Sequence, residues 1–244
     1  MSFSETKQRL WAYQKGISFD ESSHTYYYKN RTLTSVTTLV GYNFPKFDAK
    51  NVISTKLAEE RGITVKELKA EWSAKADMGS KVHSALEKST YLKLGDPVYA
   101  NGDRWVDDRH LQGLALLENM VLRQLILYPE FPVYDGTYSV AGTCDLLVWN
   151  PETGMIDIYD WKTNDSIMHP EVGYGKFGFG RLSHIKDTNY WHYALQLSTY
   201  KYILEKHGFK VGGLYLVHLT DKEYKVIPVP YLSDEVLAVL ESNL

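Results

Sequence analysis

The sequence predicts an α+β protein within the broad α/β class, with a central mixed β-sheet flanked by helices and a β-hairpin ahead of it. Three observations carry this expectation. Apolar residues recur at helical spacing before residue 128, the period shortens to two between 130 and 162, and a further helical stretch precedes a last pair of extended runs. Helices covering a sheet of largely sequence-adjacent strands is the layered arrangement that buries such elements. The 244 residues hold no internal repeat and no long linker, so a single domain over 1–244 is expected.

The hairpin comes first. ISFDESSHTYYYKNRTLTSVTTLV, residues 17–40, has two β-branched and aromatic runs around a Lys29-Asn30-Arg31 turn. Residues 48–70 place Val52, Ile53, Leu57, Ile63, Val65 and Leu68 at mixed helical spacing, which predicts two short helices broken near Gly62. A stronger helix is predicted over 73–89, closed by Gly95-Asp96-Pro97. Another spans 107–127, with Leu114, Leu117, Val121 and Leu125 as its core face and Pro129 as its stop. Strands at 130–134, 138–149 and 155–162 then form an antiparallel meander, separated by Asp135-Gly136 and by Asn150-Pro151-Glu152-Thr153-Gly154. The glycine-rich EVGYGKFGFGR leads into a helix over 188–207, a strand pair in GGLYLVHLT and EYKVIPVP, and a short helix from Ser233. Within the single domain, 1–72 reads as the hairpin and helical extension, 73–220 as the core, and 221–244 as a closing strand and helix.

Hydrophobic residues at 44% and charged residues at 23% give an ordinary globular balance, which excludes wholesale disorder and low complexity. Lys and Arg number 27 against 30 Asp and Glu, a net charge of −3, so any nucleic-acid site must be a local patch. Aromatics at 14% suit core anchors and also surfaces that stack on bases. Cys144 stands alone, so this chain can build neither an internal disulfide nor a four-cysteine zinc or iron–sulfur site. MSFSETKQRLWAYQKG lacks a long apolar segment, and the most apolar helical stretch, 111–128, is interrupted by Glu118 and Arg123. No signal peptide or membrane span is expected, and the cytoplasm is the expected compartment.

Chemistry concentrates in AGTCDLLVWNPETGMIDIYDWKTN, residues 141–164. If Trp149 faces Ile156 across the turn, then Leu147 faces Ile158 and Asp145 faces Asp160, and period two puts Lys162 on the same face. Carboxylates directly opposed, about 4.5–5.5 Å apart at Cβ, repel each other unless a cation sits between them. A divalent metal meets that need. The same D…DxK spacing also fits solvent-facing aspartates with Lys162 as their salt-bridge partner. Gly142 removes a side chain where the strand would meet a bulky ligand. In GSKVHSALE, His83 stands among small residues that allow close approach, although a lone helical histidine is more often structural. Gln196 and Tyr200 share one helical face, with His192 a turn earlier, as a neutral stripe that could bind phosphates or bases. His169, His184, His207 and His218 lack a partner pattern and read as structural.

In this order, GSKVHSALE at 79–87, EFPV at 130–133, GTCDLLV at 142–148, DWKT at 160–163 and QLSTY at 196–200 resemble the PD-(D/E)XK nuclease superfamily. The likeness is to its RecB-like branch, which includes lambda-type and phage exonucleases, and the opening hairpin is similar to the N-terminal extension of phage members. The resemblance implies a restriction-endonuclease-like core. It implies His83, Asp145 and Asp160 as side-chain metal ligands, the Trp161 carbonyl as a further ligand, and Lys162, Asp145 and Asp160 as the catalytic set. Glu130 would be an accessory acid beside the ligands, while Gln196 and Tyr200 would engage nucleic acid and buttress the site. Mg²⁺ is the implied cofactor, with Mn²⁺ a good substitute because imidazole suits softer ions. Lys162 would orient the attacking water or neutralise charge developing on the phosphate. Cys144 stands where the superfamily's name has proline, a difference common in this branch, and the iron–sulfur cluster of some relatives has no cysteines here.

The leading expectation is a metal-dependent DNA exonuclease acting at free ends in phage or bacterial recombination, repair or DNA processing. A structure-specific or nicking endonuclease shares the same core. The reading of another class, a nucleic-acid-binding protein on a nuclease scaffold, is opposed by the intact His83, Asp145, Asp160 and Lys162. Gly173, Gly175 and Gly178 match G-x-G-x-x-G literally but lie outside a strand-to-helix turn of a βαβ unit, so a dinucleotide site is not expected. That segment reads either as a plain surface loop or as a clamp, in which Lys176, Arg181 and Lys186 grip phosphates while Tyr174, Phe177 and Phe179 stack on bases.

Overall fold

A computed structural model describes residues 3–46, 53–95, 107–165, 167 and 175–243. Helix α1 (Phe3–Gln14) precedes β1 (Ser18–Asp20), β2 (Thr25–Tyr28) and β3 (Arg31–Ser35). β2 and β3 form the expected hairpin, with Tyr28 opposite Arg31. Lys29 and Asn30 between them take φ of 47° and 62°, the left-handed conformation that a two-residue hairpin loop needs at both positions. The second run ends sooner than its β-branched composition suggests. Ser35 accepts the Thr38 N–H and caps helix α2 (Val36–Tyr42), which buries Val36, Leu39 and Val40 on one face. Cap and burial together outweigh the strand preference of VTTLV.

Helix α3 (Ile53–Arg61) ends at Gly62, whose φ of +64° suits a left-handed helix end, as the sequence predicts. Thr64 and Glu67 then form a reciprocal capping box that starts α4 (Val65–Lys93). This helix runs unbroken for 29 residues, so the second short helix and the one predicted over 73–89 are a single element, and the division at 72/73 falls inside it. Asp96 and Pro97 lie outside the described residues. Helix α5 (Asp108–Leu122) stops five residues before its predicted end; Leu117 is in the core, but Val121 is exposed. The chain is already extended at Ile126, where β4 (Ile126–Asp135) begins. Pro129 therefore sits in a strand instead of ending a helix. Among the described residues β4 pairs with β5 (Val140–Asn150) alone, and such an edge strand tolerates proline.

β4, β5 and β6 (Met155–Lys162) make the predicted meander. Helix α6 (Asn189–Lys206) carries the chain back to β7 (Val211–Leu219), parallel to β6, and β8 (Tyr224–Pro228) and α7 (Ser233–Glu241) follow. The result is a mixed eight-stranded sheet in the order β1-β2-β3-β5-β6-β7-β8, with β4 on the other edge of β5. Alternation along the strands divides the core between two faces. Leu147, Trp149, Ile158 and Leu216 belong to a cluster with α1, α2, α6 and α7. Leu146, Val148, Trp161 and Val217 pack with Val82 and Leu86 of α4 and with Leu116, Leu117 and Met120 of α5. Among the described residues, no helix is long and apolar enough to cross a membrane.

Candidate active site

The site lies where the sheet splits. β5 and β6 pair with Trp149 opposite Ile156 and Leu147 opposite Ile158, the register the turn predicts, but the ladder ends at Leu146 and Tyr159. β6 continues to Lys162 on β7 alone, pairing Asp160 with Leu216 and Lys162 with His218. Asp145 and Asp160 thus stand just past the last ladder pair, at the mouth of the split. The Asp145 carboxylate bridges it by accepting the Trp161 N–H at 2.8 Å. On the other edge of β5 the ladder to β4 also skips a position, between Pro129–Leu146 and Phe131–Cys144. The residue skipped on β4 is Glu130, whose φ of 45° breaks the extended conformation. Three acidic residues on adjacent strands therefore share one sheet level.

Helix α4 supplies the facing wall of a cavity of about 490 Å³. Ala76, Gly79, Ser80, His83, Ser84 and Glu87 recur at spacings of three and one, so a single stripe of the helix lines it. The small residues let β6 approach: a Cβ on Gly79 would lie 3.1 Å from Thr163 Oγ1. Glu21 from the β1–β2 turn, Glu130, Asp145, the stretch Trp161 to Asn164 and Tyr193 of α6 complete the lining. His83 Nδ1 lies 3.4 Å from Asp145 Oδ2. Asp160 is only 2% exposed and lies behind the lining, with its Oδ2 in an ion pair with Lys162 Nζ. Lys162 Nζ also sits 4.3 Å from the centre of the Tyr193 ring.

The electrostatics follow from crowding charge into a buried place. Burial by itself pushes His83 down, but Asp145 beside it holds the proton, and the balance lifts the imidazole to about 9. Asp145 is the reciprocal case: burial raises it, and His83, Lys162 and the Trp161 N–H bring it below its ordinary value. Burial lifts Asp160 to about 6 despite Lys162, with Asp145 adding to the rise. Glu130 is lifted to about 8 by burial and then by Asp145 and Glu87. Lys162 stays above its ordinary value because Asp160 and Asp145 more than offset its burial. The three carboxylates outnumber the two cations, His83 and Lys162, and the excess is met by holding Glu130 toward its neutral form.

That excess is the test of whether a divalent cation fits. Carboxylates from Glu130, Asp145 and Asp160 with the His83 imidazole form an oxygen-rich donor set with one nitrogen, suited to Mg²⁺ and better still to Mn²⁺. Asp160 Oδ2, although paired in charge with Lys162, receives no hydrogen bond of good geometry. The donors fit in kind. Among the described residues no three His, Cys, Asp or Glu side chains converge as a ready shell. Asp145 is turned to His83 and Trp161, and Asp160 to Lys162, because each carboxylate takes the nearest cation or N–H.

The remaining predicted residues lie apart from the cavity lining. Tyr200 is 2% exposed, so it cannot engage nucleic acid as expected; it accepts a hydrogen bond from Gln196 Nε2 at 3.1 Å and fills the space over Gly142. A Cβ on Gly142 would meet Tyr200 Oη and Cε1 at 2.6 Å, so the glycine makes room for this ring and not for a ligand. Lys176 and Arg181 do not border the cavity, and Arg181 pairs with Glu241 of α7 at 2.6 Å. Phe177 and Phe179 are exposed, while Gly173 and Tyr174 lie outside the described residues, as does His169. The histidines read as structural do have partners: His184 on Glu235, His207 near Asp135, and His218 on the Asn164 carbonyl. Sequence reasoning missed Tyr193 and Glu87. Their signal was spacing: Tyr193 lies three residues before Gln196 on α6, and Glu87 lies four after His83 on α4.

No family model matches the chain, and no curated protein matches it. Among solved structures it is similar to one described as the crystal structure of SSO0001, at 14% identity over 98% of this chain and 85% of that one, with a TM-score of 0.41. A likeness that loose carries no function across.

Proposed function

We propose that this chain is a Mg²⁺- or Mn²⁺-dependent deoxyribonuclease of the PD-(D/E)XK type that degrades DNA from a free end. One observation supports the reading above the others: Glu130, Asp145, His83 and Lys162 share one cavity, Asp160 stands behind it, and two of the three carboxylates are held toward their neutral forms. His83, Asp145 and Asp160 would hold the cation, with Glu130 beside them. A bound divalent ion supplies charge relief at the phosphoryl oxygens and lowers the pKa of a water.

The chain's own residues do the rest. Lys162 presents its ammonium to the cavity, where it can orient the attacking water and meet charge developing on the phosphate. Ala76, Gly79 and Ser80 leave room for a strand's backbone to approach α4 closely. Carboxylates at Glu21 and Glu87 deter a polyanion from lying across that part of the cavity, which favours a strand that ends there. The cytoplasm is the compartment that goes with this reading. Asp160→Asn tests the site. It should abolish cleavage and weaken Mn²⁺ binding strongly by calorimetry while the melting curve stays cooperative. Unchanged Mn²⁺ affinity would refute the ligand assignment.

A further inference from the structure

We infer that Tyr193 is a positioning residue for Lys162: its ring face keeps the ammonium at the cavity when Asp160 is engaged elsewhere. The kinetic part of this inference rests on the nuclease reading; the contact itself does not. Lysine is a compact charge on a flexible four-carbon stem, so its place is set by its partners. Among the described residues Lys162 Nζ is held by the Asp160 carboxylate and by the Tyr193 ring at 4.3 Å. The first is conditional. Asp160 is a ligand in the proposed function, and a carboxylate drawn to a cation loosens its hold on the lysine.

The second partner does not depend on the state of Asp160. Tyr193 is anchored by α6, where Ala194, Leu195 and Leu197 beside it are fully buried, and the Asn164 side chain engages its phenol. A ring face attracts an ammonium most where water is scarce, and the Lys162 side chain is only 14% exposed. Tyr193 also lines the cavity, so the ring holds the ammonium on the side from which a substrate would come.

The experiment follows Lys162 in the full chain carrying ¹³Cε-labelled lysine, with its signal assigned by its loss in Lys162→Arg. In the wild type that signal should be displaced upfield by the ring and stay displaced as Mg²⁺ alone is added. In Tyr193→Leu it should join the exposed lysines. With end-labelled linear DNA, Tyr193→Leu should lower kcat by about tenfold with KM within about twofold, and Tyr193→Phe, which keeps the face, should stay near wild type. A wild-type signal without ring displacement overturns the inference, as does wild-type turnover in Tyr193→Leu. Equal losses in the Leu and Phe variants also overturn it, since they would assign the effect to the hydroxyl. A wild type inert on every DNA but with a displaced signal removes the nuclease reading and supports the contact. If Tyr193→Leu does not fold, the wild-type spectrum and the Phe variant decide.

Discussion

Burial and the nearest charges together set each ionisable side chain of the cavity: His83 and Asp145 answer to each other, while burial prevails at Asp160 and Glu130. His83 keeps its proton for Asp145, and Lys162 keeps its own for Asp160. Asp145, Asp160 and Lys162 were legible in the sequence from residue type and strand period, and His83 only through the family resemblance, since a lone helical histidine carries no signal of its own. Tyr200 and Gly142 were legible as a feature but not as a role, because only the packed structure shows a ring lying over the glycine. Gly142→Ala should therefore overpack that contact and cost about 1–3 kcal/mol by denaturant unfolding. A cost near zero would mean that Tyr200 shifts freely. Asp135 is a second test at this scale. Burial alone would raise it, but Lys206 at 2.7 Å and the Tyr138 and Thr137 N–H groups hold its carboxyl below the ordinary 3.8. A depressed folded value means stability present above about pH 4 and lost as the pH falls through that lower value. Asp135→Asn keeps the turn acceptor and sheds the titration, so its melting temperature should fall less steeply than the wild type's below pH 4. Parallel curves would contradict the assignment.

Among the elements, caps decided what periodicity could not. VTTLV reads as strand by composition, yet Ser35 turns it into α2. The fused helix α4 was obscured because Ser73, Lys75 and Asp77, alternating with Ala74 and Ala76, interrupt the apolar pattern midway, while its start was written plainly in Thr64 and Glu67. The end of α5 was misplaced because Leu125 and Leu127 continue a helical spacing that β4 also satisfies with period two. α4 carries His83 and Glu87 about five turns beyond its start. Thr64→Ala removes the cap acceptor and should cost about 1 kcal/mol. In a chain of this size that lowers the melting temperature by about 2–4 °C, and the remote His83 pairing should stay intact. A loss of Mn²⁺ binding in that variant would mean that the first turn of α4 is coupled to the cavity.

At the scale of the whole molecule, strand order is what creates the site. The meander β4-β5-β6 sets three acidic residues at one level, and β6 leaves β5 for β7 at that same level, opening the space that α4 covers. The meander and the register of its β5–β6 hairpin were readable from the turns. The parallel pairing of β6 with β7 and of β3 with β5 was not, because nothing local in the sequence states which distant strand closes a ladder. Among the described residues no element stands apart from this sheet and its helices, which agrees with the end-directed degradation proposed above. Linear DNA should be consumed with Mg²⁺ while covalently closed circles persist; rapid linearisation of circles would favour an endonuclease. The central claim is that hydrolysis occurs at this cavity through Lys162. It is tested most directly by the Mg²⁺-dependent degradation of end-labelled linear DNA by the wild type and by Lys162→Ala, with DNA and Mn²⁺ binding measured in parallel. The account predicts degradation by the wild type, loss of turnover by about a hundredfold or more in the variant, and binding retained by both. Degradation at the same rate in Lys162→Ala, or a wild type that binds DNA and never cuts it, would contradict it.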